Sequence, residues 1–124
     1  MSNLRSYTLE ARSTDTFGRV RCSSRNHHFI VDGPTQNGCP GEAITPVEVF
    51  LSGVAACGVE LVEVIAKERS YPLGGVHVMI AGTVDRDRPV RSDYSVFNRI
   101  DVRFTLGGVT REQGEDLVES FKGR

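Results

Sequence analysis

Cysteine is scarce in this sequence. The 124 residues include only Cys22, Cys39 and Cys57, and no two of them form a Cys-x-x-Cys pair. An odd number of cysteines without such a pair argues against a disulfide framework and against a zinc site. His27 and His28 are adjacent, so in a strand their side chains point to opposite faces and do not readily bind one metal ion. We therefore expect no metal and no other cofactor.

The sequence also lacks a targeting segment and a charge excess of either sign. Its first ten residues, MSNLRSYTLE, contain no apolar core of the kind found in signal peptides. The longest apolar stretch, residues 46–66, contains three glutamates, which makes it a poor membrane span. The formal net charge is -1, and the basic residues form no stripe that would bind nucleic acid. We expect a soluble, cytoplasmic protein that binds neither membrane nor nucleic acid.

Several catalytic motifs are missing as well. The sequence has no Gly-x-Ser-x-Gly, no phosphate-binding loop and no dinucleotide fingerprint. What remains is a chain with 39% hydrophobic and 25% charged residues, which is typical of a globular protein rather than a disordered one. Its length suits one domain, so we take residues 1–124 as a single domain.

The hydrophobic pattern predicts an α+β fold with antiparallel strands. Alternating apolar residues indicate strands, and a long apolar segment with a capped start indicates a helix. The predicted strands are Leu4–Arg12, Gly18–Ser24, Phe29–Val31, Val76–Val84 and Tyr94–Leu106, and the predicted helices run from Thr45 to about Ser70 and from Thr110 onward.

The first predicted helix carries the feature of greatest chemical interest. Thr45 is a good N-cap, Pro46 suits the first helical position, and Glu48 follows the cap by three residues. The first half is apolar nearly all round, so we expect it to be buried on most sides. Cys57 lies at its centre among small residues that would let a second helix approach closely. A cysteine held there is either inert packing or a nucleophile.

The segment TPVEVFLSGVAAC, Thr45 to Cys57, resembles the cysteine-helix motif of the OsmC family, which includes the organic hydroperoxide resistance proteins. The order of the predicted elements fits the same family. The resemblance implies antiparallel sheets wrapped around the cysteine helix, and two chains intertwined in a homodimer. It also implies a thiol peroxidase, in which Cys57 attacks an organic hydroperoxide and an external dithiol completes the cycle.

The sequence departs from the family pattern in its second cysteine. In the family that cysteine follows the second long helix, usually in a Cys-Pro pair, and here no cysteine follows Cys57. We therefore expect the C-terminal end of the family domain to be missing from these 124 residues, or the resolving step to be absent. Cys22 or Cys39 could replace the second cysteine if either lay close enough in space.

The charged residues of the family site are also shifted. Burial would raise the pKa of Cys57, so a nearby cation is needed for its ionisation, and the family supplies an arginine from the turn between the first two strands. The best candidate is Arg19, with Arg12 next and Arg21 as a further candidate. Glu48 occupies the acidic position one residue later than usual, and it lies about 13 Å from Cys57 along the helix. It is either a catalytic residue acting across the dimer or simply a helix cap.

Three functions remain open on this reading. The first is an OsmC-like thiol-dependent peroxidase with a role in oxidative stress defence, using Cys57, Arg19 and Glu48. The alternative is a non-enzymatic OsmC-like dimer that binds an apolar small molecule at its interface, with Cys57 as packing. A purely structural stress protein is the third.

Overall fold

The computed structural model describes residues 3–93 and 95–123, and it confirms the predicted α+β class. The elements in chain order are β1 (Glu10–Ser13), β2 (Arg19–Ser24), β3 (His27–Asp32), a 3-10 turn (Thr35–Asn37), α1 (Pro46–Glu68), β4 (Gly75–Thr83), β5 (Arg99–Gly107) and α2 (Arg111–Lys122). The chain divides into two compact units, Met1–Phe50 and Leu51–Arg124, with the boundary inside α1. The assignment of residues 1–124 to one domain stays a prediction.

The first unit contains an antiparallel sheet in the order β1-β2-β3. Arg25 and Asn26 connect β2 to β3 with φ values of 47° and 72°. Two left-handed residues in a two-residue loop suit the twist of a tight hairpin. This turn fixes the register of the two strands, which pairs Arg19 with Asp32 at the far end of the hairpin.

Strand β1 is shorter than its apolar alternation predicts. It covers only Glu10–Ser13, and Leu4 and Tyr7 are 84% and 86% exposed. Alternation predicts a strand only where a neighbouring strand is available to pair with it. In this sheet β2 pairs with β1 only as far as Ser23 opposite Glu10.

Helix α1 begins as the sequence predicts and ends two residues early. The carboxylate of Glu48 accepts hydrogen bonds from the backbone N–H and the hydroxyl of Thr45 at 3.0 and 2.7 Å. These bonds satisfy a backbone donor that the first turn of a helix leaves unpaired. At the other end, Ser70 adopts a left-handed conformation with φ of 56°, which stops the helix after Glu68.

The second unit packs α1 and α2 against the antiparallel pair β4-β5. The N-terminus of α2 is a complete capping box between Thr110 and Gln113, as predicted. Strand β5 begins at Arg99 rather than at residue 94, and Tyr94 lies outside the described residues. The core consists of Val62, Ile65, Ala66 and Leu117, packed against Tyr71, Leu73, Val76, Phe104, Leu106, Val109 and Phe121.

The expected burial of the first half of α1 is wrong for a single chain. No residue of α1 before Gly58 is buried, and the buried residues of the second half form a single stripe: Gly58, Val62, Ile65 and Ala66. The ring of Phe104 packs close to Gly58, where a Cβ would lie 3.2 Å from it. We expect Gly58 to let a partner helix approach, but in the structure the Phe104 side chain of the same chain packs against it.

A second apolar stripe runs along α1 and is largely exposed. Its residues recur at alternating spacings of three and four, which places them on one face. Val47 and Phe50 are 51% and 56% exposed, Val64 is 39% exposed, and Cys57 is exposed. We call this set the cysteine stripe, and its members are Val47, Phe50, Val54, Cys57, Leu61 and Val64.

The length and composition of α1 are those of a helix that could cross a membrane. Within the described residues, it is the one helix long and apolar enough to cross a membrane, with a mean hydropathy of 2.0 over an 18-residue window that is 22% buried. The three glutamates therefore do not by themselves exclude a span. The central helix of a water-soluble protein meets the same criterion.

Candidate functional site

Cys57 lies near the middle of α1 and is both exposed and free. No lysine, arginine or histidine occurs between Pro46 and Ala66, so α1 offers no cation within two turns of the thiol. The N-terminal dipole acts only over the first turn and does not reach that far. Any cation that promotes ionisation of Cys57 must therefore come from another element.

Arg19, the first residue of β2, takes part in the most extensive ion-pair cluster of the first unit. Its Nε donates to Asp32 Oδ1 at 2.8 Å, and its Nη2 donates to Asp32 Oδ2 at 2.9 Å. The same Nη2 donates to Glu42 Oε1 at 2.8 Å. The paired hydrogen bonds to Asp32 are the fork geometry that arginine forms with a carboxylate. They fix the plane of the guanidinium relative to the sheet.

Asp32 is the fixed centre of this cluster. Its residue is fully buried, and Oδ2 also accepts from the backbone N–H groups of Glu42 and Ala43 at 3.1 and 2.8 Å. The hydrogen bonds from Arg19, opposed by burial and supported by the two backbone donors, hold the pKa of Asp32 well below its usual range. The bonds to Asp32 and then to Glu42 raise the pKa of Arg19. At neutral pH the carboxylate of Asp32 and the guanidinium of Arg19 are therefore both ionised.

This ion pair predicts a specific dependence of stability on pH. Because the folded state lowers the pKa of Asp32, its contribution is complete above the unfolded-state value of about 4 and is lost as the pH falls toward the lower folded-state value. The melting temperature of the wild type, measured by circular dichroism, is therefore expected to fall between pH 5 and pH 2, in part because Asp32 becomes protonated. Asp32→Asn should lower the melting temperature at pH 7 and reduce its decline on acidification. An equally steep decline in the variant would contradict the assignment.

The other two candidate arginines lie in simpler surroundings. Arg12 forms an ion pair with Glu10, and the Arg12 and Glu10 side chains are 77% and 60% exposed. Arg21 is exposed and lies between Arg12 and Ile30 in the register of the sheet. Arg19 is the candidate whose side chain is fixed by a buried partner.

Glu48 is engaged at the N-terminus of α1. Its hydrogen bonds from the hydroxyl and then the backbone N–H of Thr45 lower the pKa of its carboxyl group. The geometry is that of a helix cap, which is the structural alternative for this residue. A catalytic role of Glu48 stays a prediction.

The remaining cysteines belong to the first unit and are free. Cys22 is buried in β2, and Cys39 is partly buried in the loop before α1. The Cys39 sulfur packs so closely on Gly18 and Gly33 that a Cβ on either glycine would overlap it. Within residues 3–93 and 95–123, no group of three or more metal-ligating side chains occurs.

A groove of about 570 Å³ lies between β5 and α2 in the second unit. None of the predicted site residues lines it. Its apolar lining includes Phe104, Leu106, Val109 and Val118, and its charged lining includes Arg111, Glu115 and Glu119.

Sequence reasoning missed the two carboxylates that bind Arg19. Asp32 directly follows the predicted strand Phe29–Val31, and in the structure it is the last residue of β3. Placing the hairpin turn at residues 25 and 26 would have paired it with Arg19 directly. Glu42 is brought to Arg19 by the loop before α1, and no local pattern encodes that contact.

Comparison with known proteins agrees with this architecture. The family model described as OsmC-like protein matches residues 39–124, which is more than half of the sequence. The chain belongs to the OsmC family. A search of curated proteins finds no match.

Solved structures with the OsmC fold are similar over nearly the whole chain. An OsmC-like protein from Mycoplasma pneumoniae has a TM-score of 0.82 at 15% identity, covering 97% of this chain and 82% of that one. An organic hydroperoxide resistance protein from Elizabethkingia anophelis has a TM-score of 0.78 at 19% identity, covering 99% and 85%. An organic hydroperoxide resistance protein OsmC from Legionella pneumophila has a TM-score of 0.74 at 17% identity, covering 98% and 85%. At these identities the likeness establishes the fold.

Proposed function

We propose that this OsmC family protein is a cytoplasmic, thiol-dependent peroxidase that reduces organic hydroperoxides through Cys57. The observation that carries the proposal is a free, exposed cysteine at the centre of the family's cysteine helix. A stress-related role is supported by fold neighbours that are organic hydroperoxide resistance proteins. The apolar surface around the thiol favours an organic hydroperoxide over a small polar one.

The proposed reaction begins with the thiolate of Cys57. Its sulfur attacks the terminal oxygen of the hydroperoxide, an S–O bond forms, the O–O bond breaks, and the organic part leaves as an alcohol after taking up a proton. Cys57 is thereby oxidised to the sulfenic acid and the peroxide is reduced. One thiol of an external dithiol then attacks the sulfenic sulfur and releases water. The second thiol resolves the mixed disulfide, which leaves an oxidised dithiol and regenerates Cys57.

Arg19 is the cation that we propose to promote ionisation of Cys57, because α1 supplies none. A guanidinium stays protonated at physiological pH and stabilises a thiolate without competing for its proton. Glu48 is proposed to support the site through the start of α1. Its two hydrogen bonds with Thr45 fix the first turn of the helix that carries Cys57.

The activity is tested by the consumption of cumene hydroperoxide in the presence of dithiothreitol. The purified wild-type protein is expected to remove the peroxide with multiple turnovers, and hydrogen peroxide more slowly. Failure to turn over any organic hydroperoxide would reject the proposal. Thermal stabilisation by an apolar ligand, unchanged in Cys57→Ser and without peroxide turnover, would favour the non-enzymatic dimer instead.

We further propose a homodimer in which the apolar residues of the cysteine stripe pack against a second copy of the chain beside the thiol of Cys57. Val47 and Phe50 are more than half exposed, and an apolar helix face of this length is unfavourable in water. The alternating spacing of three and four residues is that of helices packed side by side. In a dimer, the partner chain would cover this apolar face of α1, which could otherwise insert into a membrane.

Phe50→Glu is expected to separate the dimer, because each dimer carries the buried charge twice. A cost of several kcal/mol raises the dimer dissociation constant by roughly 100-fold or more. Light scattering coupled to size-exclusion chromatography should change from the dimer mass to the monomer mass. The control is Val90→Glu, at a position 62% exposed in the loop between β4 and β5, which should leave the mass unchanged. A monomeric wild type, or a dimeric Phe50→Glu variant, would contradict the assignment.

A further inference from the structure

The loop before α1 contains an asparagine that is followed directly by a glycine. Asn37 is the last residue of the 3-10 turn Thr35–Asn37, and Gly38 follows it with a φ of 77°. Both residues are exposed, and a Cβ added at Gly38 would meet no atom within 4 Å. A bond between the backbone nitrogen of Gly38 and Cγ of Asn37 would close a five-membered ring. Because Gly38 has no side chain and no close neighbour, nothing crowds its nitrogen.

The other asparagines of the chain are less favourably placed for this ring closure. The side-chain amide of Asn98 is fixed at both ends, since it accepts from a backbone N–H at 2.7 Å and donates to a backbone carbonyl at 2.6 Å. Asn3 and Asn26 are each followed by a residue with a bulky side chain. In the part of the chain that the structure describes, the side-chain amide of Asn37 has no hydrogen-bond partner. Asn37 therefore combines a free amide with an uncrowded nitrogen.

One backbone hydrogen bond opposes the reaction at Asn37. The N–H of Gly38 donates to the carbonyl of Thr35 at 2.9 Å, and ring closure requires the peptide between Asn37 and Gly38 to rotate out of that bond. A single 3-10 turn has weak hydrogen-bond geometry, and an exposed loop opens at a small fraction of the global free energy of unfolding. The bond therefore slows the reaction without preventing it.

We propose that Asn37 is a site of spontaneous deamidation, and that the isoaspartate formed there releases Cys39 from its packing. The backbone nitrogen of Gly38 gives its proton to hydroxide and attacks Cγ of Asn37. An N–C bond forms, the Cγ–Nδ2 bond breaks, and Nδ2 takes up a proton and leaves as ammonia. Water then opens the cyclic imide, at the side-chain carbonyl to give aspartate or at the main-chain carbonyl to give isoaspartate. No atom is oxidised or reduced, and the proposed peroxidase activity is not involved.

The effect on Cys39 follows from the backbone of the isoaspartate product. Isoaspartate adds one carbon atom to the main chain immediately before Gly38, which disrupts the hydrogen bond from the N–H of Cys39 to the carbonyl of Pro34, 3.4 Å long in the intact turn. The Cys39 sulfur packs against Gly18 and Gly33 with no space for another atom. So close a fit does not survive a shift of the main chain. The thiol of Cys39 becomes accessible as a result.

The test is to incubate the purified wild-type protein in mildly alkaline buffer and to locate the products by digestion and tandem mass spectrometry. An unincubated sample gives the background. Asn37 is expected to convert to aspartate and isoaspartate at least about tenfold faster than Asn98, a difference of about 1.4 kcal/mol in the barrier. The rate at Asn37 should rise with hydroxide concentration. Labelling of Cys39 by iodoacetamide in the folded protein should increase in proportion to the isoaspartate fraction.

The matched control is Asn37→Gln, which keeps an exposed amide but would have to close a six-membered ring. It should show neither the conversion nor the increase in Cys39 labelling. Gly38→Ala adds a Cβ to the attacking residue and should slow the conversion about tenfold. Because alanine is strained at a positive φ, the wild-type comparison of Asn37 with Asn98 decides the inference if Gly38→Ala misfolds. Conversion at Asn37 no faster than at Asn98, or an equal increase of Cys39 labelling in Asn37→Gln, would overturn it.

Discussion

Cys57→Ser is expected to reduce the consumption of cumene hydroperoxide to the uncatalysed background. A serine hydroxyl is not ionised at neutral pH and cannot form the sulfenic acid, so the loss should be roughly a thousandfold or more. The measurement is the initial rate of peroxide loss with dithiothreitol in excess. Circular dichroism should show that the variant is folded, since the side chain is exposed in the single chain and similar in size.

The matched control for this variant is Cys39→Ser. Cys39 is also free, but its sulfur packs between two glycines of the first unit. If Cys57 alone reacts and an external dithiol completes the cycle, Cys39→Ser retains the rate. A loss of turnover in Cys39→Ser with single-turnover oxidation of Cys57 intact would instead make Cys39 the resolving residue. Wild-type activity in Cys57→Ser would reject Cys57 as the nucleophile.

Leu117→Ala should have the largest effect on stability. Leu117 is fully buried on α2 and packs with Val62 and Ile65 of α1, where the neighbouring residues cannot fill the space left by the deleted side chain. Such substitutions cost about 2–5 kcal/mol, against a total stability of about 5–15 kcal/mol for a typical protein. The melting temperature is expected to fall by roughly 10 °C or more.

Leu4→Ala is the matched control for the core substitution. The chemical change is identical, but Leu4 is 84% exposed in the single chain. Its effect should stay within about 0.5 kcal/mol. Both variants are compared at one protein concentration, because dimerisation makes the melting temperature depend on concentration. A large loss in Leu4→Ala would indicate that the N-terminal residues are covered by a partner chain.

The sequence predicts local structure best where a short motif specifies its own hydrogen bonds. Thr45 and Pro46 set the start of α1, and Thr110 with Gln113 set the start of α2, because each motif satisfies backbone donors within one turn. The α+β class follows from the apolar periodicities, and the OsmC family from the segment between Thr45 and Cys57. These features depend on neighbours in the sequence.

The sequence predicts features that depend on distant residues less well. The extents of β1 and β5 are set by which backbone lies alongside, so the alternation from Leu4 and from Tyr94 overestimates them. The one-sided burial of α1 depends on where the sheet and α2 cover it. The capture of Arg19 by Asp32 depends on hairpin register, which a single turn residue can shift.

The sequence therefore predicts the proposed nucleophile of the site and only part of its electrostatic surroundings. Cys57 is identified by its position in the family motif, and its exposure on α1 is compatible with reaction. Arg19 is singled out among three arginines only once its buried partner is visible. The carboxylate of Glu42 partly neutralises the positive charge of Arg19. No pattern in the sequence predicts this ion pair.

The most direct test is the intact mass of the protein after one equivalent of cumene hydroperoxide, with dimedone present to trap a sulfenic acid. The wild type is expected to gain one dimedone adduct that maps to Cys57, and Cys57→Ser none. An adduct at Cys22 or Cys39 instead, or an unmodified wild-type protein under conditions that oxidise a control thiol peroxidase, would contradict the assignment of Cys57 as the peroxide-reactive residue.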